Sequence, residues 1–164
     1  MRNKWFVALL LVVVMVCACW TGVLAEDVER ETFTSGDYKY ALLDDGTVEI
    51  TDYKGKAKEL TIPDMLDGKK VSAIGNSAFY SCDSLTSVSI PDSVTSIGDR
   101  AFFCCISLTS VTIPDSVTSI GDGAFLFCPA NLTLTVPRNS YALDYAKANN
   151  IPYTYPDAND WLNN

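Results

Sequence analysis

LTSVSIPDSVTSIGDRAF, at residues 85–102, is the stretch that decides the fold, because the chain repeats it almost unchanged. The second copy, LTSVTIPDSVTSIGDGAF, occupies residues 108–125, so the period is 23 residues. The two copies are identical at 16 of 18 positions. They differ at Ser89/Thr112 and at Arg100/Gly123. Self-similarity at a fixed period of about 20–50 residues predicts a repeat architecture, in which each repeat is one stacked unit.

The apolar residues of the repeat predict how the units stack. They form five columns: Leu85/Leu108, Val88/Val111, Ile90/Ile113, Val94/Val117 and Ile97/Ile120. The alternation V-x-I is typical of a short strand with one buried face, and the proline that follows it ends the strand. One coil has too little core to fold alone, so neighbouring coils bury each other's apolar rows. We therefore predict a leucine-rich repeat solenoid of short parallel strands, with irregular or helical-turn return segments and a step of about 4.8 Å.

Two further columns concern the corner and the return of each coil. Gly75, Gly98 and Gly121 are expected at a tight corner that requires positive φ. Ala-Phe follows at 78–79, 101–102 and 124–125, and we expect each phenylalanine to fill the interior of its coil.

The whole pattern, L-x-x-V-x-I-P-x-x-V-x-x-I-G-x-x-A-F-x-x-C, resembles the BspA-like leucine-rich repeats of bacterial surface proteins. The resemblance covers about residues 60–137. It implies a secreted or surface-displayed solenoid, in some members an adhesin for host proteins, and it does not imply an enzyme.

The N-terminal residues 1–25 have the features of a signal peptide. Arg2 and Lys4 precede 16 consecutive apolar residues, and Val23-Leu24-Ala25 resembles a cleavage site. Two alternatives remain open: a retained membrane anchor, for which the run is short, and lipidation at Cys19. In each case the rest of the chain is expected outside the cytoplasm, secreted or at the cell surface.

Caps are predicted at both ends of the solenoid, because its terminal coils need cover. At 26–59 a charged lead-in precedes two β-prone runs around Asp44-Asp45-Gly46, which indicate a hairpin. The repeats follow at 60–137, with an insertion at 65–70 in the first coil that we expect to be an exposed loop. At 138–164, Ser140 is a good N-cap for a helix over 141–148, which an extended segment and a tail follow.

Composition excludes several kinds of function. The chain has a net charge of −8, and residues 26–164 contain 10 basic and 20 acidic residues, which argues against binding to nucleic acid or anionic membranes. It contains no histidine, so catalytic triads built on histidine are ruled out. We expect no cofactor and no insertion in a membrane after the signal is removed.

Four cysteines and two pairs of aspartates are the candidate chemical groups. Cys82, Cys105 and Cys128 share one column, which favours buried free thiols, with a disulfide between coils as the alternative. Cys104 points elsewhere, and stacked thiols do not offer the tetrahedral geometry of zinc. Asp92/Asp115 and Asp99/Asp122 follow turn residues, where an aspartate usually bonds its own backbone. We therefore expect no metal site and no catalytic carboxylates there.

Two surfaces are candidate binding sites. The exposed strand face, which is concave in horseshoe-like solenoids, carries hydroxyls that can bond an extended peptide or a glycan: Thr86, Ser87, Ser89, Thr109, Ser110 and Thr112. The other candidate is the column Tyr80, Phe103 and Leu126, which forms an apolar interaction stripe if it points outward and core if it points inward.

The sequence thus favours a secreted or surface-exposed, non-catalytic module for binding or adhesion, whose ligand is an extracellular protein or a glycan. The alternative is a structural unit that self-associates and has no dedicated ligand. An enzyme ranks third.

Overall fold

The computed structural model describes residues 30–156 of the chain. The signal-peptide prediction at 1–25 and the end of the tail lie outside these residues. The described strands are β1 Thr32–Ser35, β2 Tyr38–Leu42, β3 Val48–Tyr53, β4 Glu59–Thr61, β5 Met65–Leu66, β6 Lys69–Ile74, β7 Ser87–Ser89, β8 Ser96–Ile97, β9 Ser110–Thr112, β10 Ser119–Ile120, β11 Thr133–Thr135 and β12 Tyr153–Thr154. The helix α1 spans Tyr141–Ala148.

The strands form two separate sheets along the stack of coils. Sheet 1 has the order β1-β2-β3-β6-β8-β10, and β5 pairs with β6. Sheet 2 has the order β4-β7-β9-β11-β12, and all its pairings are parallel. Equivalent residues of successive coils pair directly, as Val88 does with Val111. The structure confirms the leucine-rich repeat solenoid with stacked parallel strands.

Each repeat contributes a second short strand that the sequence analysis missed. β8 and β10 run through the V-T-S-I segments and pair in register, Ile97 with Ile120. The β-branched residues Thr95 and Ile97 were the available signal. The return segments after the glycines consist of turns closed by i→i−3 hydrogen bonds, such as that from the Tyr80 N–H to the Ser77 carbonyl oxygen (3.0 Å), in agreement with the predicted irregular or helical-turn returns.

A hairpin caps the N-terminal end. β2 and β3 are antiparallel around the turn at Gly46, and β3 then pairs in parallel with β6. Val48 and Ile50 are fully buried against the first coil. The predicted loop at 65–70 is instead a tight hairpin, β5-β6, whose turn residues Asp67 and Gly68 have φ of 48° and 76°.

The helix α1 and β12 cap the C-terminal end, as predicted. The hydroxyl of Ser140 accepts a hydrogen bond from the Leu143 N–H (3.1 Å), which satisfies one of the free amides of the first turn. Leu143 and Ala146 are buried. β12 extends sheet 2 beside β11.

A ladder of aromatic rings runs through the core. Phe79 and Phe102 are stacked with ring centroids 4.9 Å apart, and Phe102 and Phe125 are stacked at 5.3 Å. Tyr53 of the hairpin and Tyr145 of α1 contact the two ends of the ladder. The repeated phenylalanine therefore links both caps to the coils between them.

The glycine that recurs in each coil is required for a different reason from the one expected from the sequence. None of Gly75, Gly98 and Gly121 has positive φ. A Cβ at Gly98 would instead lie 2.7 Å from the backbone nitrogen of Asn76 and 2.8 Å from the carbonyl carbon of Gly75. The glycines are required because the backbones of successive coils touch there.

Positive φ occurs at two other columns, which contain few glycines. Their members are Ser77 (57°), Arg100 (53°) and Gly123 (61°), and Ser81 (53°), Cys104 (60°) and Phe127 (61°). The corners of the coil therefore lie two and six residues after the glycine column. In residues 30–156 no helix is long and apolar enough to cross a membrane.

Candidate binding surfaces

The outer side of sheet 2 forms a face of hydroxyl groups. Cross-strand pairing places Ser87 beside Ser110, and Ser89 beside Thr112, so the side chains form two rows perpendicular to the strands. Glu59 and Thr61 of β4 continue the rows on one side, and Thr133 and Thr135 of β11 continue them on the other. We call this surface, from β4 to β11, the hydroxyl face.

Two of the predicted hydroxyls bond within the solenoid. Thr86 Oγ1 donates to the Lys58 carbonyl oxygen (2.9 Å), and Thr109 Oγ1 donates to the Thr86 carbonyl oxygen (3.2 Å). These two hydrogen bonds therefore stabilise the stacking of neighbouring coils. Within residues 30–156, no hydrogen bond is made by the side chains of the other four: Ser87, Ser89, Ser110 and Thr112. Those four remain available for a ligand.

The column Tyr80, Phe103 and Leu126 points outward. Tyr80 is 55% exposed and Leu126 is 49% exposed. The Tyr80 ring stacks on the half-buried Phe103 ring at 5.3 Å, and the Arg100 guanidinium lies 6.0 Å from the Phe103 centroid. The stripe is thus a surface feature and not part of the core.

One more apolar residue enlarges this stripe, from the column that it shares with Ser81 and Cys104. Phe127 is 64% exposed and meets Phe103 edge-on at 5.1 Å. Phe127 also has φ of 61°, a conformation that is costly for a bulky residue. We call Tyr80, Phe103, Leu126 and Phe127 the aromatic stripe.

A groove of about 850 Å³ borders the hydroxyl face where the strands of sheet 2 end. It follows the triplet I-P-D, which occurs at 62–64, 90–92 and 113–115. Prolines line its floor, and Asp64, Asp92 and Asp115 place one carboxylate per coil along it. The repeat of the triplet was visible in the sequence, but only the register of the strands shows that the three copies line one groove.

The cysteine column is a ladder of free thiols. Cys105 Sγ donates to the Phe79 carbonyl oxygen (3.0 Å), and Cys128 Sγ donates to the Phe102 carbonyl oxygen (3.2 Å). Burial raises the pKa of Cys105 to about 12, and it raises the pKa values of Cys82 and Cys128 to about 11. Neutral thiols of this kind are poor nucleophiles and poor metal ligands. Cys104 is half-buried and free.

The aspartate column joins the coils to each other. The Asp99 N–H donates to Asn76 Oδ1 (2.8 Å), and the Asp122 N–H donates to Asp99 Oδ1 (2.8 Å). The expectation that Asp99 bonds its own turn was wrong, since its acceptor serves the next coil. Among residues 30–156 no group of three or more Cys, Asp or Glu side chains could hold a metal ion.

Comparison with known proteins identifies the family from these same columns. The model of the BspA-type leucine-rich repeat region matches residues 52–151 with six copies. The chain belongs to this family. The match extends the repeats beyond 60–137 at both ends, because the family pattern tolerates the degenerate coils that simple inspection of the sequence passes over.

Two solved structures from bacteria resemble the chain. A leucine-rich cell surface protein of Faecalibacterium prausnitzii is 41% identical, with a TM-score of 0.53 over 65% of this chain. A leucine-rich repeat protein of Bacteroides capillosus is 28% identical, with a TM-score of 0.50 over 65% of this chain and 98% of its own length. The chain spans 30% of the length of the Faecalibacterium protein. No curated protein matches the chain.

Proposed function

We propose that the protein is an exported, non-catalytic binding module that attaches to an extracellular protein or glycan through the hydroxyl face. The observation that carries the proposal is the pair of rows built by Ser87/Ser110 and Ser89/Thr112, whose hydroxyls have no hydrogen-bond partner among residues 30–156. Short hydroxyls at a regular step can donate to and accept from the repeating polar groups of an extended ligand.

Its family and its charge support this role. The repeats belong to a family that is typical of bacterial surfaces, and one similar structure is itself a cell surface protein. The net charge of −8 disfavours nucleic acid as the ligand. The signal-peptide features of residues 1–25 support export.

A screen of the purified protein against extracellular matrix proteins and glycans tests the proposal. Saturable binding to one class is expected, and Ser110→Arg should weaken it because a long, charged side chain replaces a hydroxyl in the row of Ser87 and Ser110. Ser119→Arg on sheet 1 is the matched control, since Ser119 is an exposed serine on a strand of the other sheet. Equal loss in both variants, or no binding by the wild-type protein, would exclude the hydroxyl face.

Self-assembly is the second candidate, and the aromatic stripe favours it. Phe127 has positive φ and is 64% exposed. Both features are unfavourable in the isolated chain, and burial of the ring by a partner offsets their free-energy cost. The stripe lies on the return segments, away from sheet 2, so both functions can coexist.

Light scattering distinguishes these roles. A dimer or larger species that becomes a monomer in Phe127→Asn supports assembly through the stripe, because asparagine tolerates positive φ and removes the apolar ring. Leu42→Asn is the control, since Leu42 is 42% exposed and lies in the N-terminal hairpin. A wild-type monomer at all concentrations contradicts self-assembly.

A further inference from the structure

The I-P-D groove differs from the hydroxyl face in charge and in shape. The groove has an apolar floor, because Pro63, Pro91, Pro114 and Pro137 line it in sequence along the coils. Its volume of about 850 Å³ falls in the range of ligand sites, about 300–1,000 Å³. Prolines have no N–H, so the floor offers apolar contact without backbone donors.

The charges of the groove have one sign. Asp64, Asp92 and Asp115 line it, and among the described residues that line it none is Lys or Arg. All three carboxylates are exposed, so each can meet a ligand. At the end of the column Arg138 replaces the aspartate, and its guanidinium lies 3.9 Å from the Tyr155 ring centroid. Cationic groups are therefore favoured along the first three coils.

One hydrogen-bonding group in the wall is left without a partner. Ser93 Oγ is buried and makes no hydrogen bond in residues 30–156. Its counterpart one coil later, Ser116 Oγ, donates to the Val94 carbonyl oxygen (2.8 Å). An unsatisfied buried hydroxyl is unfavourable, so Ser93 is less well accommodated in its coil than Ser116 is in the next.

The spacing of the carboxylates selects the form of the ligand. The strand register aligns the three triplets, because the Ile62 N–H bonds the Ser89 carbonyl oxygen and the Ile90 N–H bonds the Thr112 carbonyl oxygen. Two coil steps of about 4.8 Å separate Asp64 from Asp115 by roughly 9.6 Å. In a polyproline II helix, residues i and i+3 lie on the same side and are separated by about 9.3 Å.

We propose that the groove binds an extended, polyproline-like peptide segment with Lys or Arg at every third position. Its cationic side chains pair with Asp64 and Asp115, and its apolar residues lie on the proline floor. This inference rests on the proposed binding function and assigns that function an acidic ligand surface, which adjoins the hydroxyl face along the row Thr61, Ser89 and Thr112.

Fluorescence anisotropy with a labelled Lys-Pro-Pro-Lys-Pro-Pro-Lys peptide tests the inference on purified protein. We expect saturable binding that weakens with salt, and about tenfold weaker binding to Asp64→Asn/Asp115→Asn. Asp44→Asn/Asp83→Asn is the matched control, since it removes two exposed carboxylates outside the groove. A peptide of the same composition with consecutive lysines, Lys-Lys-Lys-Pro-Pro-Pro-Pro, should bind several-fold more weakly.

Two results would overturn the groove site: equal weakening in both double variants, or equal affinity for both peptides. Either shows attraction by net charge alone. Ser110→Arg separates the two surfaces, because Ser110 does not line the groove. If the variant loses the protein or glycan ligand but still binds the lysine peptide, the two sites are distinct. If it loses the peptide while Asp64→Asn/Asp115→Asn keeps it, the peptide binds the hydroxyl face and the groove proposal fails.

Discussion

Residues 85–102 and residues 108–125 are nearly the same sequence, yet identical side chains in the two coils have different partners. Ser116 donates a hydrogen bond to the coil before it, whereas Ser93 has no partner among the described residues. Asp99 accepts a bond from the Asp122 N–H, whereas in residues 30–156 no hydrogen bond reaches the carboxylate of Asp122.

The neighbours of each coil explain these differences. A side chain that bonds backward, such as Ser116, needs a regular coil before it, and Ser93 instead follows the coil that carries the β5-β6 hairpin. A side chain that bonds forward, such as Asp99, needs a regular coil after it, and Asp122 is followed by the C-terminal cap. In a solenoid each residue's energy therefore depends on its position in the stack as well as on its repeat.

The core phenylalanines should show the largest difference between the coils. Phe102 lies between two stacked rings and is fully buried, whereas Phe125 is 5% exposed and contacts Tyr145 edge-on at 6.2 Å. We expect Phe102→Ala to lower the free energy of unfolding by about 3–5 kcal/mol, and Phe125→Ala to lower it by less. Urea denaturation followed by circular dichroism measures both. Equal losses of unfolding free energy in the two variants would contradict a dependence on position in the stack.

The glycine column should not distinguish the coils, because each glycine touches a backbone that precedes it. Gly98→Ala and Gly121→Ala should each cost about 2–3 kcal/mol, since the added Cβ has no room. Gly36→Ala is the control: its Cβ would meet nothing within 4 Å, so only its positive φ opposes alanine, at about 1 kcal/mol. Equal destabilisation by Gly98→Ala and Gly36→Ala would indicate that backbone conformation, and not close contact between coils, requires the glycine column.

The aspartates test the hydrogen bonds that a side chain accepts from the following coil. Asp99→Ala should cost about 1 kcal/mol, because it leaves the Asp122 N–H without its acceptor, and Asp99→Asn should restore most of this. Asp122→Ala should change stability by less than about 0.5 kcal/mol. Thermal unfolding of the three variants measures these differences, and a larger loss at Asp122 would contradict the ladder.

The serines test the hydrogen bonds that a side chain makes to the preceding coil, and the two substitutions should differ in the sign of their effect on stability. Ser116→Ala removes a hydrogen bond and should cost about 1 kcal/mol, whereas Ser93→Ala removes an unsatisfied hydroxyl and should be neutral or slightly stabilising. The same unfolding experiment measures both variants. Destabilisation by Ser93→Ala of the same size would show that its hydroxyl has a partner.

The cysteines should give the smallest difference in stability between the coils, and it should appear as a dependence of stability on pH. Burial raises the pKa of Cys105 to about 12 and that of Cys128 to about 11, from an ordinary value of 9.0. The unfolded chain therefore loses these protons first, so this contribution to stability is complete below about pH 9 and falls as the pH rises toward 11–12. Alkylation by iodoacetamide, read by mass spectrometry, should reach Cys128 before Cys105. The reverse order would contradict the deeper burial of Cys105.

Periodicity predicted the solenoid, the buried columns, the phenylalanine ladder and both caps, because each depends on residues repeated at 23 or on local capping chemistry such as Ser140. It misjudged the glycine column, since a corner and a close approach of two backbones both favour glycine and cannot be distinguished along one chain. The hydroxyl rows were predicted as residues, but the use of Thr86 and Thr109 in stacking required the distances to the preceding coil.

The sequence by itself determined that coils of 23 residues stack in parallel, because only an apolar pattern with that period buries each coil against the next. The tertiary structure alone decided what each surface presents. It turned the aromatic stripe outward, and it brought three I-P-D triplets, up to 51 residues apart, into one acidic groove. These outcomes depend on strand register and on the identity of the neighbouring coil, and such contacts between distant residues leave no mark on any single repeat.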